Sequence, residues 1–219
     1  MKMRMMACLA CLLLAACSDG NRYAQAICVL VDVSGTYADQ KPEVVDIVKK
    51  GILPGMLPGD TLILMRIDSQ SYEKANVEAS VSLDPRPSHA NAQKLGFAKQ
   101  LDRFARREGR ARFTDIRGAL MLAADYLKET TAGTQTIVVF SDLKEDLPGN
   151  IRRELSENEF ENIRVVAANV KQLRRDNADP AAYRQRLASW EDRVLAGGAR
   201  DWRVIVDSPK LVEYIERRL

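Results

Sequence analysis

The stretch VLVDVSGTY, residues 29–37, decides how the chain is read. It sits at the end of the run Ala26–Val33, whose apolar character suits a strand covered on both faces of a sheet. That run leads into a carboxylate and two hydroxyls at alternate positions, Asp32, Ser34 and Thr36, with Gly35 allowing the loop to bend. Three hard oxygen donors in five residues point to a cation or a phosphate.

Working outward, strand and helix patterns alternate. Lys41–Gly51 reads as a helix with Val44, Val45 and Val48 on one side and Pro42 near its start. Leu62–Ile67 is a second buried strand, and the alternation of Val77, Ala79, Val81 and Leu83 predicts a half-exposed edge strand. Ser88 is the expected cap of a helix to about Arg107, with Leu95, Ala98, Leu101 and Ala105 at helical spacing. Asp115–Lys128 is another helix, with Ile116, Leu120, Ala123 and Leu127 inward. Strands follow at Thr136–Phe140 and Ile163–Ala168. Asp179-Pro180 opens a helix striped by Tyr183, Leu187, Trp190 and Val194 and stopped by Gly197-Gly198. Trp202–Val206 is the last strand, and Ser208-Pro209 caps a helix through Leu219. Alternation of this kind predicts an α/β fold, a Rossmann-like doubly wound sheet with helices on both faces. Sites in such sheets form beyond the carboxyl ends of the strands, where the opening loop lies.

The amino-terminal residues have a different purpose. Lys2 and Arg4 precede an apolar segment, Ala7 to Ala16, too short for an ordinary membrane-spanning helix. Leu14-Ala15-Ala16-Cys17 resembles the bacterial lipobox, which implies a signal peptide over residues 1–16 and lipid on Cys17. Ser18 after that cysteine, where Asp would retain the protein at the inner membrane of enteric bacteria, favours the outer membrane. The expected organisation is a lipidated tether, residues 17–24, and one domain, residues 25–219, lying in the cell envelope and facing periplasm or exterior. The tether spans at most roughly 25–30 Å when extended, so the domain stays close to the membrane. Cys8 and Cys11 leave with the signal, and Cys28, alone in an apolar strand, reads as a small buried hydrophobe. About 200 residues remain, enough for a sizeable core. With 33 basic and 30 acidic side chains, two of the former in the leader, no electrostatic case for nucleic acid exists.

Two further loops are expected at the same edge. Phe113-Thr114-Asp115 opens the helix before Thr136–Phe140, and Phe140-Ser141-Asp142 closes that strand. Together with Asp32, Ser34 and Thr36 these residues resemble the von Willebrand factor type A domain and its metal-ion-dependent adhesion site. That family has Asp-x-Ser-x-Ser/Thr on loop one, Thr on loop two and Asp on loop three, and all five positions are filled here in order. The resemblance covers essentially the whole chain after the leader. It implies a mostly parallel sheet with one antiparallel edge strand, and a Mg2+ or Mn2+ ion held by Asp32, Ser34, Thr36, Thr114 and Asp142. It further implies that the cation grips an Asp or Glu of a protein partner, without enzymatic turnover. Hydroxyls coordinate such an ion directly, while the two carboxylates supply negative charge directly or through water. Two departures stand out: Arg112-Phe113 and Leu143 occupy places where many members have glycine.

Other readings compete. Phosphatases of the haloacid-dehalogenase type open with Asp-x-Asp-x-Thr after a strand, which would make Asp32 a nucleophile; here the second acid is Ser34, which cannot protonate a leaving group. Arg103, Arg106, Arg107, Arg110 and Arg112 crowd into ten residues and offer a polyanion or membrane-surface site, or otherwise a solvated helix end. Arg110, Arg112 and Lys144 are the expected partner contacts at the rim of the metal loop, where a basic rim would speed association with acidic proteins. His89, in a Pro-rich stretch expected to be a loop, is the one histidine, and no Cys/His cluster suggests zinc.

Overall fold

Strand β1, Gln25–Asp32, is buried along its whole length and hydrogen-bonds in parallel to a neighbour on each side. The computed structural model describes residues 23–35, 37–169 and 180–217. The sheet is completed by β2 (Thr61–Ile67), β3 (Val77–Ser82), β4 (Thr134–Phe140), β5 (Ile163–Ala168) and β6 (Asp201–Ile205). Its order is β3-β2-β1-β4-β5-β6, with β3 antiparallel and every other pairing parallel. The doubly wound sheet with one antiparallel edge strand is therefore present as expected. The register sets Asp32 opposite Ile67 and Val31 opposite Phe140, so loops leaving β1, β2 and β4 emerge at one edge.

The period of two along β1 builds both cores. Ile27, Val29 and Val31 pack with α1 (Lys41–Ile47), α2 (Pro87–Arg106) and α5 (Ser208–Glu216). Ala26, Cys28 and Leu30 pack on the other face with α3 (Ile116–Lys128) and α4 (Pro180–Ala196). Burial pushes the Cys28 thiol well above its ordinary range, which leaves it an inert apolar filler.

Several local expectations change. The helix expected to stop at Gly51 continues from α1 through a π turn, Val48–Ile52, and a last turn, Leu53–Gly55. Gly51 is there for a close approach: a Cβ would lie 2.7 Å from the Val212 methyl of α5. In α2 the buried face is Ala90, Phe97, Leu101 and Phe104, whereas Leu95 is 68% exposed and Ala98 and Ala105 pack only at the margin. Two phenylalanines seven apart, two helical turns, bury more apolar area than the leucine and alanines, and they set the rotation of the helix. Ser88 lies inside the first turn, and Arg86 is the residue at the cap. His89 is thus helical and exposed. Asp207, not Ser208, caps α5 by accepting the Lys210 N–H, and α5 ends at Glu216. The signal peptide, Cys17, Thr36 and Asp179 lie outside the described residues.

The rotation of α2 is checked by denaturant unfolding of two variants. Phe97→Ala is expected to cost about 3–5 kcal/mol, and Leu95→Ala to stay within about 0.5 kcal/mol of the parent.

Candidate metal-binding site

Asp32 is the last residue of β1 and is fully buried. One carboxylate oxygen accepts the Ser34 N–H at 2.8 Å, which folds loop one back over the strand end. The other accepts the Ser141 hydroxyl at 2.6 Å, tying loop one to the end of β4. Ser34 is buried and bridges in parallel to Ala111 of loop two, whose N–H reaches the Val33 carbonyl at 2.9 Å. Tyr37, buried behind the loop, donates its hydroxyl to the Asn169 carbonyl at 3.1 Å beyond β5.

Loops two and three are joined backbone to backbone. Thr114 is buried and exchanges both hydrogen bonds with Asp146, at 2.7 and 3.0 Å. Its neighbour Asp115 caps α3 by accepting the Gly118 N–H at 2.8 Å, and also accepts the Ser71 N–H at 2.9 Å and the Arg153 guanidinium at 3.1 Å. A Cβ on Gly118 would stand 2.3 Å from that carboxylate, so the cap requires glycine. Asp142 is buried, and one of its oxygens accepts the Lys144 N–H at 2.8 Å. The Glu145 carboxylate is occupied by Arg117, at 2.9 Å from its N–H and 2.7 Å from its Nε. Lys144 itself is exposed, as are Arg110 and Arg112. Arg110 reaches back to the Gly35 carbonyl at 3.1 Å and to Asp39 at 2.5 Å.

Asp32, Ser34 and Asp142 thus meet at the carboxyl edge of the sheet, and Thr114 is fastened to that edge through Asp146. Burial raises the Asp32 carboxyl above its ordinary range, with the Asp142 charge adding to the rise; hydrogen bonds from Ser141 and Ser34 pull the other way. No Lys or Arg forms an ion pair with Asp32 among the described residues. Two buried carboxylates facing one region, with hydroxyls and no basic partner for Asp32, are suited to a hard cation. No group of three or more His, Cys, Asp or Glu gathers around a metal position among the described residues, so hydroxyls and water would have to complete any coordination shell. That chemistry favours magnesium or manganese over zinc.

No protein-family model matches the sequence, and neither does any curated protein. Solved structures do. The D319A mutant of the PilB minor pilin from Streptococcus sanguinis superposes with a TM-score of 0.56 at 11% identity, over 92% of this chain and 62% of that one. The pilus adhesin SpaC from Lactobacillus rhamnosus GG, in its open conformation, gives 0.52 at 11% identity, over 89% and 29%. A von Willebrand factor type A protein from Catenulispora acidiphila gives 0.47 at 10% identity, over 88% and 41%. This chain spans less than two thirds of the length of each. The strand order, with its single antiparallel strand at the β3 edge, is the architecture that the resemblance to the von Willebrand factor type A domain implied. The fold is von Willebrand factor type A-like.

Within this von Willebrand factor type A-like frame, the two departures acquire physical reasons. Leu143, where many members have glycine, keeps the glycine-like backbone: its φ is +58°. A side chain there costs about 1–2 kcal/mol. Leu143 offsets that cost by burying its side chain and by accepting the Trp190 indole N–H on its carbonyl at 2.8 Å. In loop two, Gly109 supplies the positive φ, +125°, three residues before Arg112-Phe113. The Phe113 N–H is held by the Ser69 hydroxyl at 3.2 Å. Sequence reasoning missed Ser141 and the Asp115–Arg153 pair. Ser141 was detectable as a hydroxyl next to Asp142, but Arg153 belongs to a segment with no helical or strand period.

The electrostatics predict a pH signature for metal-free protein. Because the folded-state pKa of Asp32 is raised, its contribution to stability is fully present below the ordinary value of 3.8 and is lost as pH rises through the folded value. Asp32→Asn is therefore expected to raise the melting temperature at neutral pH, with the gain shrinking as pH falls towards 3.8 in a series of thermal melts.

Proposed function

We propose that this chain is a membrane-anchored, non-enzymatic protein-binding module of the bacterial cell envelope. In this reading Asp32, Ser34, Thr36, Thr114 and Asp142 hold Mg2+ or Mn2+, and the ion engages an Asp or Glu of a protein partner. The observation that carries it is the buried Asp32 carboxylate, with Ser34 and Asp142 beside it and, among the described residues, no basic side chain paired with it. The bound cation would supply that balance and a Lewis-acidic position for the partner's carboxylate. The protein's own contribution is to hold the oxygens in place: Ser141 and the Ser34 N–H orient Asp32, and the Lys144 N–H orients Asp142.

The pilus proteins with the same fold support adhesion at a cell surface. Lipid on Cys17 would provide attachment; among the described residues no helix is long and apolar enough to cross a membrane. Because β1 begins at Gln25 and the oxygen cluster lies past its other end, an anchored domain would turn the site away from its leaflet. Arg110, Arg112 and Lys144 at the rim would favour acidic partners, chiefly through the association rate.

Calorimetric titration of the full chain in detergent tests the metal. Saturable heat with Mg2+ and Mn2+ is expected, lost in Asp32→Ala and Asp142→Ala while their circular dichroism is unchanged; heat that persists in both variants defeats the reading. Partner capture from the same cells should then disappear with chelator. In fractionated cells, Cys17→Ser is expected to release the chain from the membrane pellet.

A further inference from the structure

We propose that a second pocket, beside loop one and built around the Lys41 ammonium, binds a carboxylate of the protein partner without any metal. Lys41, the first residue of α1, is only 7% exposed. Its ammonium donates to the carbonyl of Arg107, the residue that ends α2, and lies 5.3 Å from the centre of the Phe104 ring. No carboxylate forms an ion pair with it among the described residues.

The surrounding charges are committed elsewhere. Glu78 takes Arg66 at 3.0 Å and Arg107 at 2.7 Å, Asp68 takes Arg66 at 3.1 Å, and Asp39 takes Arg110 at 2.5 Å. Glu108 is exposed. Among the described residues the Lys41 ammonium makes one hydrogen bond and no ion pair, so two of its three N–H donors face the cavity side of the group, with the Glu78 charge acting on it from a distance. A buried charge is costly unless paired, and both burial and the neighbouring Arg107 push the Lys41 pKa down.

The ammonium borders a cavity of about 200 Å³ whose wall includes Val33, Phe104, Arg107, Arg110 and Ala111. Capping the end of α2 accounts for one N–H of Lys41. Val33 and Ala111 are the residues that tie loop two to loop one, so the cavity shares a wall with the Asp32 loop. A protein seated on that loop would meet both places. One positive charge without an ion pair among the described residues, in a cavity also lined by Glu78, Asp68 and Glu108, matches a monoanion such as an Asp or Glu side chain and disfavours a phosphate dianion.

The pocket does not depend on the metal reading, and its test is done without metal. The full chain in detergent micelles, in metal-depleted buffer, is titrated with acetyl-Glu-amide, acetyl-Gln-amide and inorganic phosphate, and amide chemical shifts are followed. Saturable shifts at Val33, Arg107 and Ala111 are expected with the glutamate probe and not with glutamine. They should weaken at least tenfold in Lys41→Met. Equal responses to glutamate and glutamine, shifts confined to other regions, tighter binding of phosphate, or an unchanged titration in Lys41→Met would each overturn the proposal. The comparison of glutamate with glutamine on the parent chain decides the matter even if Lys41→Met does not fold.

Discussion

The structure turns on a buried negative charge at the end of its central strand. Asp32 is placed there by β1, which pairs along its length with β2 and β4 and cannot shift without breaking both ladders. Its two oxygens fasten loop one to itself through Ser34 and to the end of β4 through Ser141. A charge in such a place is costly in isolation. Its retention next to a second buried carboxylate, Asp142, is hard to explain by packing alone and is the physical reason for reading the edge as a cation site.

Around that charge, the connecting segments are secured by backbone and ion-pair contacts. Thr114 and Asp146 hold loops two and three together, Asp115 and Arg153 close over them, and Arg117 holds Glu145. The result is an edge whose polar side chains are positioned from several elements at once, which is what a site needs if it is to bind without rearranging. The hydroxyls are supplied by loops, while strands β1 and β4 supply the rigid ends from which those loops leave.

Much of this was legible in the sequence. Buried parallel strands show as unbroken apolar runs, and β1, β2, β4 and β5 were found within a residue or two of their ends. The edge strand β3 showed its alternation, and Pro180 and Gly198 marked the limits of α4. Asp32, Ser34, Thr114 and Asp142 could be named because three loops at the strand ends together resemble the adhesion-site pattern of the von Willebrand factor type A domain. Less legible was whatever depends on contacts between distant segments. The rotation of α2 is set by Phe97 and Phe104 against the sheet, and Gly51 looked like a helix stop because its partner, Val212, is 161 positions further on. The Lys41 pocket has no local signature, since a lysine at a helix start usually stands in solvent.

The bond between the Leu143 carbonyl and the Trp190 indole has a further consequence. The chain has two tryptophans, and one of them is clipped to the backbone immediately after Asp142. A change of loop three that moves the Leu143 carbonyl would alter the polarity sensed by that indole. The molecule carries an intrinsic fluorophore wired to loop three, with no label to attach.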